Sequence, residues 1–265
     1  MKTRIISAIV ALIIVIPILI HGGLLFNLAV YVIGILGLKE FLDVKNKKKE
    51  IPTFIKFISY VLLTLIMVLN TSEEITFTMD YRLLAGLFSM LLIPTVLYHD
   101  RKRYSINDAF YLIGGIFFIA ISMTLFILFR NVRLAILVYL LLVATMTDTF
   151  AYFSGRLIGK HKLLEVISPK KTLEGMIGGT VLGTFIATTF YVVVINPNIS
   201  LPFIILVTLF LSIIGQFGDL IFSAIKRYFK TKDFSNIMPG HGGILDRLDS
   251  IIFIMLCFTF FINYL

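Results

Sequence analysis

Residues 201–225, LPFIILVTLFLSIIGQFGDLIFSAI, are long and apolar enough to cross a bilayer, yet they contain one acid, Asp219. About 20 such residues, rising 1.5 Å each, cover the roughly 30 Å hydrocarbon core, so the stretch reads as a membrane-spanning helix. An ionised carboxylate inside it costs about 2.5–3.5 kcal/mol even on lenient insertion scales, and something polar must offset that cost. On a helix, Asp219, Ser223, Lys226 and Arg227 fall near one face at i, i+4, i+7 and i+8, which offers the carboxylate a polar seam.

Downstream, the chain passes through the basic segment around Lys230 and Lys232 to Pro239-Gly240-His241-Gly242-Gly243, then to Asp246 and Asp249, and ends in another apolar run. Glycines let backbone N–H groups approach a ligand closely, and a run of such groups forms an anion-binding concavity to which His241 could add a donor. Asp246 and Asp249, at i and i+3, suit the positive end of the last helix. Helix capping accounts for either of them alone, but not for Asp219.

The composition agrees with a membrane protein. The 265 residues are 58% hydrophobic with a mean hydropathy of +0.99, which excludes an ordinary soluble domain and leaves no room for a separate one. The expected fold is an all-α polytopic membrane helix bundle of about nine transmembrane helices. Apolar runs near 5–20, 24–38, 54–69, 83–98, 110–129, 132–153, 176–195, 201–225 and 250–265 supply them. The first resembles a signal peptide but no small-residue cleavage site follows, so it reads as a retained span. Residues 1–130 read as scaffold and 131–265 as the catalytic half. With the N-terminus cytoplasmic and the C-terminus external, 21 of the 24 Lys and Arg residues fall inside, leaving Arg82, Arg130 and Arg133 outside. The net charge of +9 therefore reads as cytoplasmic loops and anionic headgroups; no aromatic and basic pattern for nucleic acid accompanies it. The run KNKKKE, 45–50, reads as a solvated cytoplasmic turn, and Glu73, Glu74 and Asp80 as part of an external loop. The single cysteine, Cys257, precludes an intramolecular disulfide.

The sixth run carries Thr145, Thr147, Asp148, Thr149 and Tyr152, and Asp148 meets the same penalty as Asp219 unless it faces a polar cavity. After it come Arg156, Lys160, Lys162, Lys170 and Lys171. Ser168-Pro169 reads as a helix start, which would place the two lysines where N–H groups already favour an anion. Carboxylates, cations and glycine turns at one membrane face suit a divalent metal bound together with phosphates. No Cys/His cluster supports zinc, and no GxxxxGK[ST] loop is present. The residues themselves thus reach metal-dependent phosphoryl or nucleotidyl transfer on a lipid phosphate.

The stretch Ser223–Asp249 resembles the signature of the phosphatidate cytidylyltransferases, or CDP-diacylglycerol synthases. Ser223, Lys226-Arg227, Lys232-Asp233, Ser235, Pro239, His241-Gly242-Gly243, Asp246-Arg247 and Asp249 stand at the family's spacing, with Met238 as one departure that touches packing only. Asp148, Gly155-Arg156, Gly159-Lys160, Ser168 to Thr172 and Glu174-Gly175 are similar to its other shared region. The resemblance implies that CTP and phosphatidic acid give CDP-diacylglycerol and pyrophosphate with Mg2+, and that a second, monovalent cation can accompany it. It implies metal roles for Asp219, Asp246, Asp249 and Asp148. Phosphates fall to Lys226, Arg227, Arg247, Lys170 and Lys171, and part of the nucleotide to His241, Gly242 and Gly243. Ser223, Arg156 and Ser168 are further substrate contacts. It places the protein in the inner (cytoplasmic) membrane with the active site facing the cytoplasm, and it admits a homodimer. The rival readings are a CTP-dependent polyprenol or lipid kinase, a cytidylyltransferase for another lipid phosphate and, more remotely, an ion-coupled transporter, against which the absence of an inverted repeat counts.

Two predictions follow from the sequence alone. In a Cys257-free background, single cysteines placed at residues 48, 102, 170 and 230 should label only from the cytoplasmic side and one at residue 75 only from outside; cytoplasmic labelling at 75 would overturn the topology. If Asp219 and Asp246 serve one metal, Asp219→Asn and Asp246→Asn should each lower turnover by at least the roughly 10–100-fold typical of metal-site partners, and the double variant should fall well short of additive. Effects that multiply as for independent sites would sink the shared assignment.

Overall fold

The computed structural model of the protein describes residues 2–70, 81–98, 103–238 and 240–264. Glu73, Glu74 and Asp80 of the expected external loop, Arg101 and Lys102 of an expected cytoplasmic loop, and Pro239 lie outside these residues. Nine α-helices form among the described residues: α1 (Lys2–His21), α2 (Gly23–Asn46), α3 (Thr53–Leu69), α4 (Tyr81–Leu97), α5 (Ile106–Val132), α6 (Leu134–Ile158), α7 (Leu173–Phe190), α8 (Leu201–Tyr228) and α9 (Leu245–Phe258). Five segments are long and apolar enough to cross a bilayer: α2, α5, α6, α7 continued to Ile195, and α8. Ile9–His21, Thr53–Leu69 and Leu84–Leu97 are apolar but shorter.

The helical expectation needs two corrections. A two-stranded antiparallel ribbon, β1 (Lys162–Leu164) and β2 (Ser168–Thr172), follows α6. Ser168-Pro169 therefore opens a strand, which suits a proline because an edge position needs no N–H donor. The helix begins at Leu173, where the Thr172 hydroxyl accepts from the Gly175 amide at 3.1 Å and supplies the N-cap. The run 45–50 is also not simply a solvated turn. α2 continues to Asn46, and Lys45 and Lys49 both pair with the buried carboxylate of Asp108 on α5, Lys45 at 2.6 Å.

The chain divides into two compact units. The first contains residues 1–132 and 233–246. Here α5 runs through the middle, in contact with α2, α3 and α4. Phe41 stacks on Tyr111 with centroids 4.3 Å apart, and Gly34 admits Met67 and Met123 against α2. Segment 233–246 is tied to α2 through Glu40, so the connection after α2, the start of α5 and this segment share one end of the unit. At the other end Arg130 donates to the carbonyls of Leu19 and Ile20, closing the C-terminus of α1. Gly22, at φ 67°, makes room for that guanidinium: a Cβ there would lie 1.7 Å from it.

The second unit contains residues 133–232 and 247–265. Its tightest packing is between α6 and α7, where Gly175, Gly179 and Gly183 recur every fourth residue. A Cβ on Gly179 would lie 2.6 Å from the Thr147 carbonyl and 2.7 Å from the Ala151 Cβ, and one on Gly183 would lie 2.6 Å from the Thr147 hydroxyl. Lipid tails are as apolar as leucine, so such close backbone approach, with buried hydrogen bonds, holds membrane helices together. Tyr139–Thr208 and Thr147–Ser212, both at 2.7 Å, join α6 to α8, and Gln216 donates to the Thr180 hydroxyl on α7 at 2.8 Å.

Gly179→Leu should therefore force α6 and α7 apart at about the 1–3 kcal/mol typical of overpacking, lowering the melting temperature in detergent by several degrees. Gly86→Leu on α4, where a Cβ meets nothing within 4 Å, is the control and should leave it within a degree or so.

Candidate active site

At the end of the second unit that carries the ribbon, α6, α7, α8 and β2 enclose a cavity of about 390 Å³. Its wall includes Asp148, Tyr152, Gly155 and Arg156 of α6, Lys170, Lys171 and Thr172 of β2, Gly175 and Met176 of α7, and Gln216 and Asp219 of α8. The glycine seam creates this geometry, because only closely apposed α6 and α7 bring Asp148 near the lysines that precede α7. Asp219 Oδ2 pairs with Lys171 Nζ at 2.6 Å, and its Oδ1 accepts from the Ser223 hydroxyl at 3.3 Å. Asp219 thus finds its cation on β2, whereas Lys226, which shares its helix face, is buried within electrostatic reach of Asp249.

Asp148, Asp219 and Asp249 lie within electrostatic reach of one another, and Lys171 and Arg247 act on Asp148 as counter-charges. Asp249 is buried and accepts from the Ser250 amide at 2.8 Å, while the Ser250 hydroxyl reaches Asp148 at 3.5 Å. Gly218 lets α9 approach α8 here: a Cβ on it would lie 2.7 Å from the Asp249 carbonyl. Arg227 donates to the carbonyls of Ile167 and Thr231, which ties the end of α8 to the ribbon, and Arg156 reaches the Tyr152 hydroxyl at 3.4 Å. Ser168 begins β2, at the far end of the strand from the α7 cap.

In the first unit, segment 233–246 is shaped by carboxylates. Asp246 Oδ2 accepts from the amides of Phe234 and Gly243 at 2.8 and 2.9 Å. The Met238 amide donates to the Gly242 carbonyl and the His241 amide to the Met238 carbonyl, with Gly240 and Gly242 at φ 79° and 84° in the left-handed region. The amide of Gly243, one of the groups expected to cradle a nucleotide, is thus engaged by Asp246.

Among the described residues no three His, Cys, Asp or Glu side chains converge as a metal cage. Magnesium does not need one. It keeps several waters and is commonly held by one or two carboxylates plus substrate phosphates, which matches the oxygen-only donors Asp148 and Asp219 on a cavity with room beside them.

Gln216 and Glu40 escaped the sequence reading, and Glu174 was named there without a role. Gln216 lines the cavity one turn before Asp219, and a polar residue inside an apolar run was the available signal. Glu174 accepts from the amides of Lys160 and His161 and from the His161 ring, closing the ribbon onto α7. Glu40, 1% exposed on α2, accepts from segment 233–246.

Comparison with known proteins bears on the same residues. The sequence profile of the cytidylyltransferase family matches residues 2–265. A phosphatidate cytidylyltransferase of Staphylococcus haemolyticus is 38% identical over 256 residues, covering 96% of each chain. Those of Staphylococcus saprophyticus and Staphylococcus aureus are 37% identical, again over 96% of each chain. With the match running through both units, the chain belongs to the cytidylyltransferase family.

Proposed function

We propose that this membrane protein transfers the cytidylyl group of CTP to phosphatidate, giving CDP-diacylglycerol and pyrophosphate. The observation that carries the reading is the cavity in which Asp148 and Asp219 stand beside Lys170 and Lys171. The near-complete span of the similarity to proteins named phosphatidate cytidylyltransferase supports it.

In this reaction an oxygen of the lipid's phosphate monoester attacks the α-phosphorus of CTP. The bond from that phosphorus to the bridging oxygen breaks, and pyrophosphate leaves with the electron pair. A phosphate monoester is already nucleophilic at neutral pH, so alignment and charge neutralisation carry the catalysis rather than a strong base. Lys170, Lys171 and Arg156 hold phosphate oxygens at the cavity wall, and Lys171 is held in place by Asp219 until substrate phosphates compete for it. Lys226 keeps the buried Asp249 compensated, and Arg227 and Arg247 add positive charge at the exposed rim. Magnesium bound by Asp219 with Asp148 would neutralise charge on the CTP phosphates, and Asp246 and Asp249 carry the same assignment from the motif. A monovalent cation beside it belongs to the same proposal. The protein crosses the membrane nine times with the N-terminus and active face cytoplasmic, in the inner membrane.

Purified protein given CTP, magnesium and phosphatidic acid should release pyrophosphate and move label from α-labelled CTP, but not γ-labelled CTP, into lipid. Transfer of the γ label with release of CDP would establish a kinase instead, and equal rates with ATP or activity surviving EDTA would also refute the proposal. Lys171→Ala should lower turnover about a hundredfold or more, because removing one preorganised charge contact at a reacting phosphate typically costs about 3 kcal/mol. An unchanged rate would remove Lys171 from the site.

A further inference from the structure

We propose that Glu40, on a helix of the half that reads as scaffold, is a positioning residue for the reaction: its carboxylate holds segment 233–246, and with it His241 and Asp246, in the working conformation. Glu40 Oε1 accepts from the Ser235 hydroxyl at 2.6 Å and from the Ile244 amide at 2.8 Å, and Oε2 accepts from the Leu245 amide at 2.9 Å. The residue is 1% exposed and 195 or more positions away in sequence from every group it binds. The first N–H groups of a helix have no partner within it, and those at the start of α9 would ordinarily be met by a local cap. Here a carboxylate from α2 meets the Ile244 and Leu245 amides, so the start of α9 is fixed to α2 as well as to its own loop. Gly243 completes the fit, because a Cβ there would fall 2.6 Å from both Glu40 oxygens. Asp246 binds the amides of Phe234 and Gly243, so the segment is clasped from outside by Glu40 and from inside by a residue of the motif.

All three contacts on Glu40 are donors, which makes the ionised carboxylate specific. Glutamine has nearly the same shape, but one of its terminal atoms is an NH2 donor that would face an N–H or O–H donor, leaving a buried group unsatisfied. The role rests on the cytidylyltransferase reading, but the hold on the segment does not.

The test is hydrogen exchange on the purified full-length protein, alongside turnover with CTP and phosphatidic acid across a magnesium titration. In Glu40→Gln, peptides covering 233–246 should exchange faster while those of α5 stay protected. Turnover should fall about tenfold, and the magnesium concentration giving half the maximal rate should rise, as for residues that orient metal-site groups. Asp108→Asn removes another buried carboxylate of the same unit that does not touch the segment, and should leave exchange at 233–246 and the magnesium requirement unchanged. If Glu40→Gln does not fold, Ser235→Ala removes one of the three contacts and should show the same two shifts to a smaller degree. Unaltered exchange at 233–246, or lost turnover with an unshifted magnesium requirement, would overturn the proposal. Wild-type protein that releases no pyrophosphate would instead defeat the catalytic reading, and the exchange measurement would still decide whether Glu40 holds the segment.

Discussion

A carboxylate cannot lie bare in an apolar helix, and five of this protein's helical acids show how it is avoided. Each is met by a partner from another element or from its own helix terminus. Asp108 takes Lys45 from the end of α2 and Lys49 from the turn after it, Asp219 takes Lys171 from β2, and Asp249 lies near Lys226 with the Ser250 amide on one oxygen. Glu40 takes donors from 233–246, and Asp148 faces the cavity with Ser250, Lys171 and Arg247 around it. Because lipid supplies no hydrophobic drive between helices, these polar contacts and the small-residue seams do what a hydrophobic core does in a soluble protein. In the second unit two of these carboxylates, Asp148 and Asp219, also line the cavity.

This arrangement explains why a set of unremarkable side chains can handle a highly charged reaction. Two substrates, each bearing phosphate, repel one another, and bringing them together needs fixed positive charge more than it needs a proton acceptor. The lysines of β2 sit on a short ribbon anchored at both ends. Arg227 binds the turn before it, and the Thr172 cap joins it directly to α7. A flexible loop carrying the same lysines would have to be ordered on every turnover.

Much of this was legible in the sequence because the bilayer makes every intramembrane acid expensive. Asp219 and Asp148 stood out on that ground alone, and both line the cavity. The helices were legible from apolar run length, although their ends were not: α2 continues through Lys39 to Asn46 and α9 begins ahead of its apolar residues, since a polar residue at a helix end carries no penalty in the headgroup region. Ser168-Pro169 misled because serine followed by proline is as suitable for starting an edge strand as for starting a helix, and only pairing with Lys162–Leu164 decides between them. The partner of Asp219 could not be read from helical spacing, because Lys171 approaches from a different element. Glu40 was hidden by its place near a basic helix end, where an acid looks like surface, and only the packing of 233–246 against α2 reveals its burial.

The contact between α6 and α7 also bears on traffic in the membrane. Where backbone lies against backbone at Gly179 and Gly183, no gap remains for a hydrocarbon chain. The seam is closed to lipid tails, so under the proposed function a two-tailed lipid does not reach Lys170 and Lys171 by parting these two helices. Its tails must pass the cavity on another side, and a protein that widened the seam to admit them would dismantle the cavity in doing so.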